Sequence, residues 1–262
     1  MNNGSYTTAE LMVTTIAGEL RDGEWGACGA YSQIPMAAFR LARMTHAPNL
    51  SWLSGAGGAL NSGAELIASS SDYRTMTGAE GVFRLEHIVD FQLGGWRRMP
   101  TVGVLGGMQV DQQGSANMIG IGNDYAELRV RGPGTVGLVF SAYFHRTVLY
   151  LHRHDRRTLV PQVDFVSAPG RTEERRRYCD PHSTGPEVVI TPIAVLDFNA
   201  DDRLQLRSVH PGHTVEEVRD RTGFTLAIPD DVPETPGPTV SSLESIRTTI
   251  DPTGVLDEVT LR

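Results

Sequence analysis

Two histidines one residue apart, a cysteine three residues from a histidine, and a glycine loop behind an apolar run are where this sequence could do chemistry. In "HRHD", side chains two apart on a strand share a face, so His152 and His154 could ligate one metal ion with His145 nearby, but no third or fourth ligand is evident. Cys179 and His182 in "CDPHSTGPE" offer a thiol and a base, although neighbours in one loop rarely make a nucleophile pair. "GPGTVG", Gly132 to Gly137, fits G-x-G-x-x-G behind the strand-like "ELRVR". Only the short "LVFSAYFH" follows it, and Pro133 stiffens the turn, so it reads as a tight loop whose amides face an anion or a carbonyl oxygen rather than as a dinucleotide fingerprint. No G-x-S-x-G elbow occurs.

Composition narrows the chemistry further. All 23 basic residues are arginine, so the chain has no lysine for a Schiff base or a P-loop. Against 31 acidic residues they leave a net charge of −8, which argues against a general nucleic-acid surface. The basic run "RTEERRRY" reads as a solvated loop or helix end. Two cysteines far apart, no basic-then-apolar leader and no run of about 18 apolar residues lead us to expect a cytoplasmic protein outside the membrane.

The elements that must position these groups alternate between helix and strand, which predicts an α/β fold of one domain over residues 1–262. Leu11, Met12, Ile16 and Leu20 share a face of a helix over 8–20, closed by Gly23, and a second helix is expected over 35–46 with proline in its first turn. "NLSWL" reads as a buried strand that runs into Gly55, Ala56, Gly57, Gly58 and Ala59, a loop where something must approach the backbone closely. "TVGVLGGMQVD" and "NMIGIG" read as strands around the turn "DQQG", and "RTVLYLHRH" and "VDFVSAPG" continue the pattern. "PEVVITPIAVLDF" and "RLQLRSVH", joined by "NADD", predict a late antiparallel hairpin. Helices opened by threonine caps follow in "TVEEVRDRTG" and "TVSSLESIRTTID", on either side of the connector "IPDDVPETPGPT".

A resemblance adds to this reading. "PMAAFRLARMTHAPNLSWLSGAGG", "GGMQVDQQGSAN", "RGPGTVGLV", "VDFVSAPG", "GPEVVITPIAVLDF", "HPGHTVEEVRDRTGF" and "IRTTIDPTG" occur in the order found in β subunits of class I CoA transferases of the glutaconate and 3-oxoacid type. The resemblance spans nearly the whole chain. It implies an open α/β sheet flanked by helices in the CoA-transferase fold, a homologous α subunit as partner, an α2β2 assembly, and an acyl-CoA as substrate, with no separate cofactor and no metal.

In that family the loop after this strand reads Ser-Glu-x-Gly, and its glutamate forms a glutamyl-CoA thioester. Here the tetrad is "SGAG", Ser54 to Gly57, so Gly55 stands at the glutamate position. Glu65, ten residues on and expected to open a helix, is the nearest downstream carboxylate that could replace it. The bare loop with the rest of the pattern kept resembles the β subunits of steroid ring-opening hydrolases, transferase-fold enzymes that cleave a ring ketone of a CoA thioester in cholesterol catabolism. The resemblance places their general base on the α subunit. It leaves Gly55, Ala56, Gly57, Gln109 and Asn117 in this chain as candidate oxyanion and substrate contacts, and Gly132, Gly134, Thr135 and Leu138 as the CoA wall. Gln109 and Asn117 could equally satisfy strand ends. A CoA transferase with a displaced carboxylate and a non-catalytic structural subunit are the alternatives.

Overall fold

In the computed structural model, which describes residues 6–54, 58–63, 65–93 and 101–262, helix α1 (Thr8–Glu19) occupies the segment expected over 8–20, one residue shorter. Thr7 Oγ1 accepts from Glu10 N at 3.2 Å and Glu10 Oε2 accepts from Thr7 N at 2.7 Å, a reciprocal cap. Met12, Val13 and Ile16 are buried where α1 packs on helix α2 (Gln33–Met44). That second helix starts two residues before Pro35 and ends at Met44 rather than at His46, because Thr45 and Ala47 both turn their amides back to Ala42 O.

The chain forms two compact units, Met1–Val104 with Pro236–Leu261, and Leu105–Thr235 with Arg262. In the first, strand β1 (Trp25–Cys28) pairs in parallel with β2 (Ser51–Ser54) and with β5 (Val102–Gly106), and β3 (Ala59–Leu60) and β4 (Gly81–Val82) extend the β2 edge in antiparallel fashion. Phe39 of α2 stacks on Trp52 of β2 with centroids 5.6 Å apart, and a Cβ on Gly26 of β1 would enter the Phe39 ring. Glycine in β1 is what lets α2 lie this close to the sheet. Helix α3 (Leu85–Gln92) follows β4.

Two small sheets lie within the second unit. Strands β6 (Gln109–Asp111), β7 (Ala116–Asn117) and β11 (Leu159–Val160) form one in the order β11-β6-β7, and β8 (Gly120–Ile121) pairs with β9 (Val130–Arg131). Strands β10 (Arg146–Tyr150) and β12 (Gly185–Ile190) are parallel, and β13 (Ala194–Phe198) and β14 (Leu204–Val209) complete the expected antiparallel hairpin. The first of these is buried at every position, as a parallel central strand requires. Helix α5 (Val215–Arg221) is capped by Thr214 and, back in the first unit, α6 (Val240–Ser245) by Thr239.

Four expectations are corrected. "TVGVLGGMQVD" is two strands, since after Gly106 and Gly107 the Met108 amide turns to Asn117 O. "VDFVSAPG" makes only an isolated bridge at Ala168, because the Asp164 amide goes to Gln109 Oε1 and those of Ser167 and Ala168 both go to Ala116 O. Glu65 opens no helix, as the next amide, Leu66 N, is held by Ile250 O. In "RTEERRRY" the helix α4 (Glu173–Tyr178) carries a buried arginine rather than a solvated one: Arg175 donates to the carbonyls of Pro169, Gly170 and Ser141 and to Ser183 Oγ.

The "HRHD" histidines also part company. His152 is exposed, whereas His154 is fully buried between Thr191 Oγ1 at 2.9 Å and Thr222 Oγ1 at 3.1 Å. Thr191 in turn bonds Ala194 N and O across the β12–β13 turn, and Thr222 caps α5. His210 is buried as well, with Nδ1 2.9 Å from Thr235 Oγ1. Burial pushes both imidazoles down to about 4. They are therefore neutral in the folded chain and bind a proton at the ordinary pKa of about 6.5 when it unfolds. Stability from this source is complete above pH ~6.5 and is lost as pH falls toward ~4, by up to about 3 kcal/mol per histidine. Urea unfolding of the wild type across that range should show the loss, and the double variant His154→Gln, His210→Gln should flatten it.

Candidate functional site

In open α/β sheets ligands gather at the carboxyl ends of parallel strands, and β2 ends at Ser54. Ser54 is fully buried and closes the loop that follows it. Its carbonyl accepts from Gly58 N at 2.9 Å and its Oγ accepts from Ala59 N at 3.1 Å. Gly58 has φ +68°, and a Cβ there would meet Phe83 O at 2.7 Å, so the closing position requires glycine. Three residues are spanned by this closure. They are Gly55, Ala56 and Gly57, the candidate contacts, which lie outside the described residues.

On the far side of the hairpin Asn61 holds a left-handed φ of 49° and is buried. Its Oδ1 accepts from Trp52 N at 2.8 Å and its Nδ2 donates to Glu80 Oε2 at 2.8 Å. Glu80 also pairs with Arg43, and Asn61 and Arg43 together hold its carboxyl below the usual range. Glu65 is exposed, with Arg40 as its charged neighbour. The Arg40 guanidinium is itself held on the carbonyls of Thr249 and Ile250.

In the second unit the sequence candidates do come together. Asn117, with no exposed surface, donates from Nδ2 to Gln109 Oε1 at 2.7 Å and to Gly120 O at 2.7 Å, and its Oδ1 accepts from Ile119 N at 2.8 Å. Both of its amide hydrogens are thus committed within the chain. Gln109, also buried, accepts a second bond at Oε1 from Asp164 N at 3.1 Å, which fixes its oxygen and turns Nε2 into the amide donor of the pair with no partner among the described residues. Behind them Asp111 accepts from the amides of Gln113 and Ser115, and burial nevertheless raises its carboxyl above the usual range.

The turn that Asn117 organises is the seat of the glycine loop. Gly132 N donates to Ile119 O at 2.8 Å and Gly134 N to Met118 O at 3.2 Å. A Cβ on Gly132 would collide with Met118 O and the Met108 sulfur, so this glycine marks close approach of two backbones. Gly134 has φ +92° with open space around it, and Thr135 follows at the start of a 3₁₀ segment that buries Leu138. Val136 has φ +50°, a strained conformation for a β-branched residue, and is 55% exposed. No sequence signal pointed to that strain.

The remaining candidates are placed apart. Cys179 caps the end of α4, and among the described residues no hydrogen bond joins it to the exposed His182. Among the described residues no group of three or more His, Cys, Asp or Glu side chains comes together as a metal site, and no helix is long and apolar enough to cross a membrane.

Comparison with known proteins gives these groups a setting. Residues 9–221 match the family model described as coenzyme A transferase. The chain is 30% identical over 246 residues to a subunit of the 3-oxoadipate CoA-transferase of Pseudomonas knackmussii, 93% of each chain. It is 28% identical over 266 residues to the IpdB subunit of the cholesterol ring-cleaving hydrolase of Mycobacterium tuberculosis, covering 96% of this chain and 97% of that one. The crystal structure of the decarboxylase AibA/AibB superposes with a TM-score of 0.83 at 27% identity, over 98% of this chain and 99% of that chain.

Asn117→Ala should leave Gln109 Oε1 with only its bond from Asp164 N, and Gly120 O and Ile119 N without their Asn117 partner, at a cost of about 2–3 kcal/mol. Gln109→Met, which keeps the volume and removes the oxygen that accepts from Asn117 Nδ2 and Asp164 N, should cost less than Asn117→Ala, because Asn117 Nδ2 keeps Gly120 O and only the Asp164 amide loses its acceptor. Chemical denaturation of the two variants beside the wild type checks the order.

Proposed function

The chain belongs to the coenzyme A transferase family, and from that membership we propose that it is the β-type subunit of a heteromeric hydrolase that opens a steroid-derived ring ketone in a CoA thioester. The observation that carries the reading is the closed loop after β2. Its three spanned residues, Gly55, Ala56 and Gly57, bring no carboxylate to a position where the family resemblance calls for a glutamate. A covalent glutamyl intermediate has no nucleophile there. Glu65 sits beside the Arg40 guanidinium instead.

The reaction we assign is a retro-Claisen cleavage. A base on the partner subunit takes a proton from water, the hydroxide oxygen adds to the ring carbonyl, and the tetrahedral oxyanion collapses with rupture of the carbon–carbon bond. The electron pair leaves as an enolate and is protonated at carbon, so one water gives one new carboxylate and one new C–H bond. Such a path needs donors for two developing oxyanions. In this reading the backbone amides of Gly55 to Gly57 provide one set and Gln109 Nε2 another. Asn117 keeps the Gln109 oxygen turned inward so that the nitrogen faces the substrate. Gly132, Gly134, Thr135 and Leu138 form the wall against thioester and pantetheine. The relatives whose names describe carbon–carbon cleavage, the ring-cleaving hydrolase and the decarboxylase, support a non-transferase chemistry on this frame.

One observation favours a second reading, CoA transfer: identity to the 3-oxoadipate transferase subunit, at 30%, stands above the 28% to the hydrolase subunit. The two part on the fate of water. Turnover of a ring-ketone CoA thioester by the chain with its partner in ¹⁸O-water should place one label in the new carboxylate, at a rate indifferent to added carboxylic acids. Unlabelled product formed only with a carboxylate acceptor overturns the hydrolase.

A further inference from the structure

Helix α3 carries more apolar surface than the chain covers. Its inner face packs through Phe91, whose ring centroid lies 5.9 Å from that of Trp25, and through Ile88, whose Cδ1 a Cβ on Gly58 would meet at 2.8 Å. The Phe83 amide, two residues before the helix, donates to Gly58 O at 2.8 Å. The helix is thereby seated on the residue that closes the loop after β2. Its other apolar side chains have no such cover. Leu85, Val89 and Leu93 follow at i, i+4 and i+8, hence along one stripe, and all three are exposed, Leu85 to 72%. Val82, on the edge strand β4, is exposed as well. At 100° per residue the stripe runs beside the face of Ile88 and Phe91, so α3 is apolar over about half its circumference. The charges around it are mostly acidic. Glu86 and Asp90 are exposed, and Arg84 stands 3.9 Å from Glu86.

A continuous apolar stripe with a polar rim is the anatomy of a protein contact. Two features identify what covers it. The first is charge. An isologous contact with a second copy would set Glu86 and Asp90 of each chain against the same acidic rim of the other, and a net charge of −8 on each chain adds to the repulsion. The second is position. The cleavage assigned above takes its base from a partner subunit, and the loop at which that base must act is the one that Gly58 closes. A helix with its side chains is about 10 Å across, so a body resting on the outer stripe of α3 stands about that far from Gly58, within reach of a long side chain or a loop of its own.

We propose that Leu85, Val89 and Leu93 of α3, with Val82 of β4, form the docking surface for the partner subunit that brings the base, and that this partner presents an apolar ridge flanked by basic side chains to meet Glu86 and Asp90. This rests on the hydrolase reading given above and deepens it by naming the surface through which the second subunit is held at the loop. The helix then serves both sides of the site, its inner face packing on Gly58 through Ile88 and its outer face carrying the partner. The four side chains are the apolar centre of the contact. A stable interface buries ~800 Å² on each partner, so further residues surround them.

The test is coexpression of the full chain with the homologous α-type subunit, capture through a tag on that subunit, and titration of one purified subunit with the other. Leu85→Glu and Val89→Glu each put a charge into the apolar centre and should weaken association about a hundredfold. Turnover of a ring-ketone CoA thioester should then need about a hundredfold more partner for half its maximal rate, and should regain wild-type kcat and KM at saturation, which a misfolded variant would not do. Val240→Glu, at an equally exposed position on α6 outside the stripe, should associate as the wild type does. Wild-type association in both α3 variants, or an equal loss in Val240→Glu, overturns the docking surface and leaves the hydrolase reading standing. A raised KM with association unchanged overturns it in favour of a substrate contact. A wild-type homodimer that both α3 variants dissolve overturns it in favour of a second copy. Ring opening by the chain without its partner overturns the reading that places the base there, and the surface with it.

Discussion

One buried carboxamide organises the candidate site in the second unit. Asn117 spends both amide hydrogens and its oxygen inside the chain, on Gln109, on Gly120 O and on Ile119 N. Three consequences follow from those bonds. The 117–120 turn acquires a fixed shape, the loop at Gly132 and Gly134 takes its seat on Met118 O and Ile119 O, and Gln109 is left with its nitrogen as the free end. A buried amide of this kind is costly to leave unmade, so the turn and the loop stand or fall together. The strain at Val136 is tolerated because the loop on either side of it is held, by Gly134 N on Met118 O before it and by buried Leu138 after it.

In the first unit the telling feature is an omission. Ser54 and Gly58 close the loop after β2 tightly enough that its tip consists of three small residues. Ser54 ends a parallel strand, where ligands are met in such sheets, and the three residues after it in the sequence, Gly55, Ala56 and Gly57, carry no carboxylate. A transferase needs a carboxylate at that point, and a hydrolase needs only room and donors. This division of labour, with amides here and the base on a partner, is the core of the functional proposal.

Much of this was legible in the residues themselves. Thr214 and Thr239 announced their helices, and "NADD" its hairpin, because capping and turn chemistry are local. "GGMQVDQQGSAN" and "RGPGTVG" pointed to Gln109, Asn117 and the glycine loop, yet which amide was spent and which was free depended on Gly120 and Asp164, and no spacing rule reveals that. "HRHD" misled for a similar reason. Alternation on a strand would have paired His152 with His154, but the segment is irregular and His154 is drawn inward by Thr191 and Thr222, far away in sequence. Arg175 was hidden in a run that looked solvated, since its partners are carbonyl oxygens rather than charges.

The most direct test of the account is the intact mass of this chain after incubation, with its partner, in the presence of an acyl-CoA substrate and a borohydride or hydroxylamine trap. The account predicts an unmodified mass throughout turnover, with no adduct and no trapped derivative on any carboxylate of the chain. A stable increment that maps to Glu65 or another carboxylate, and that disappears when an acceptor acid is added, would contradict it and return the protein to covalent CoA transfer.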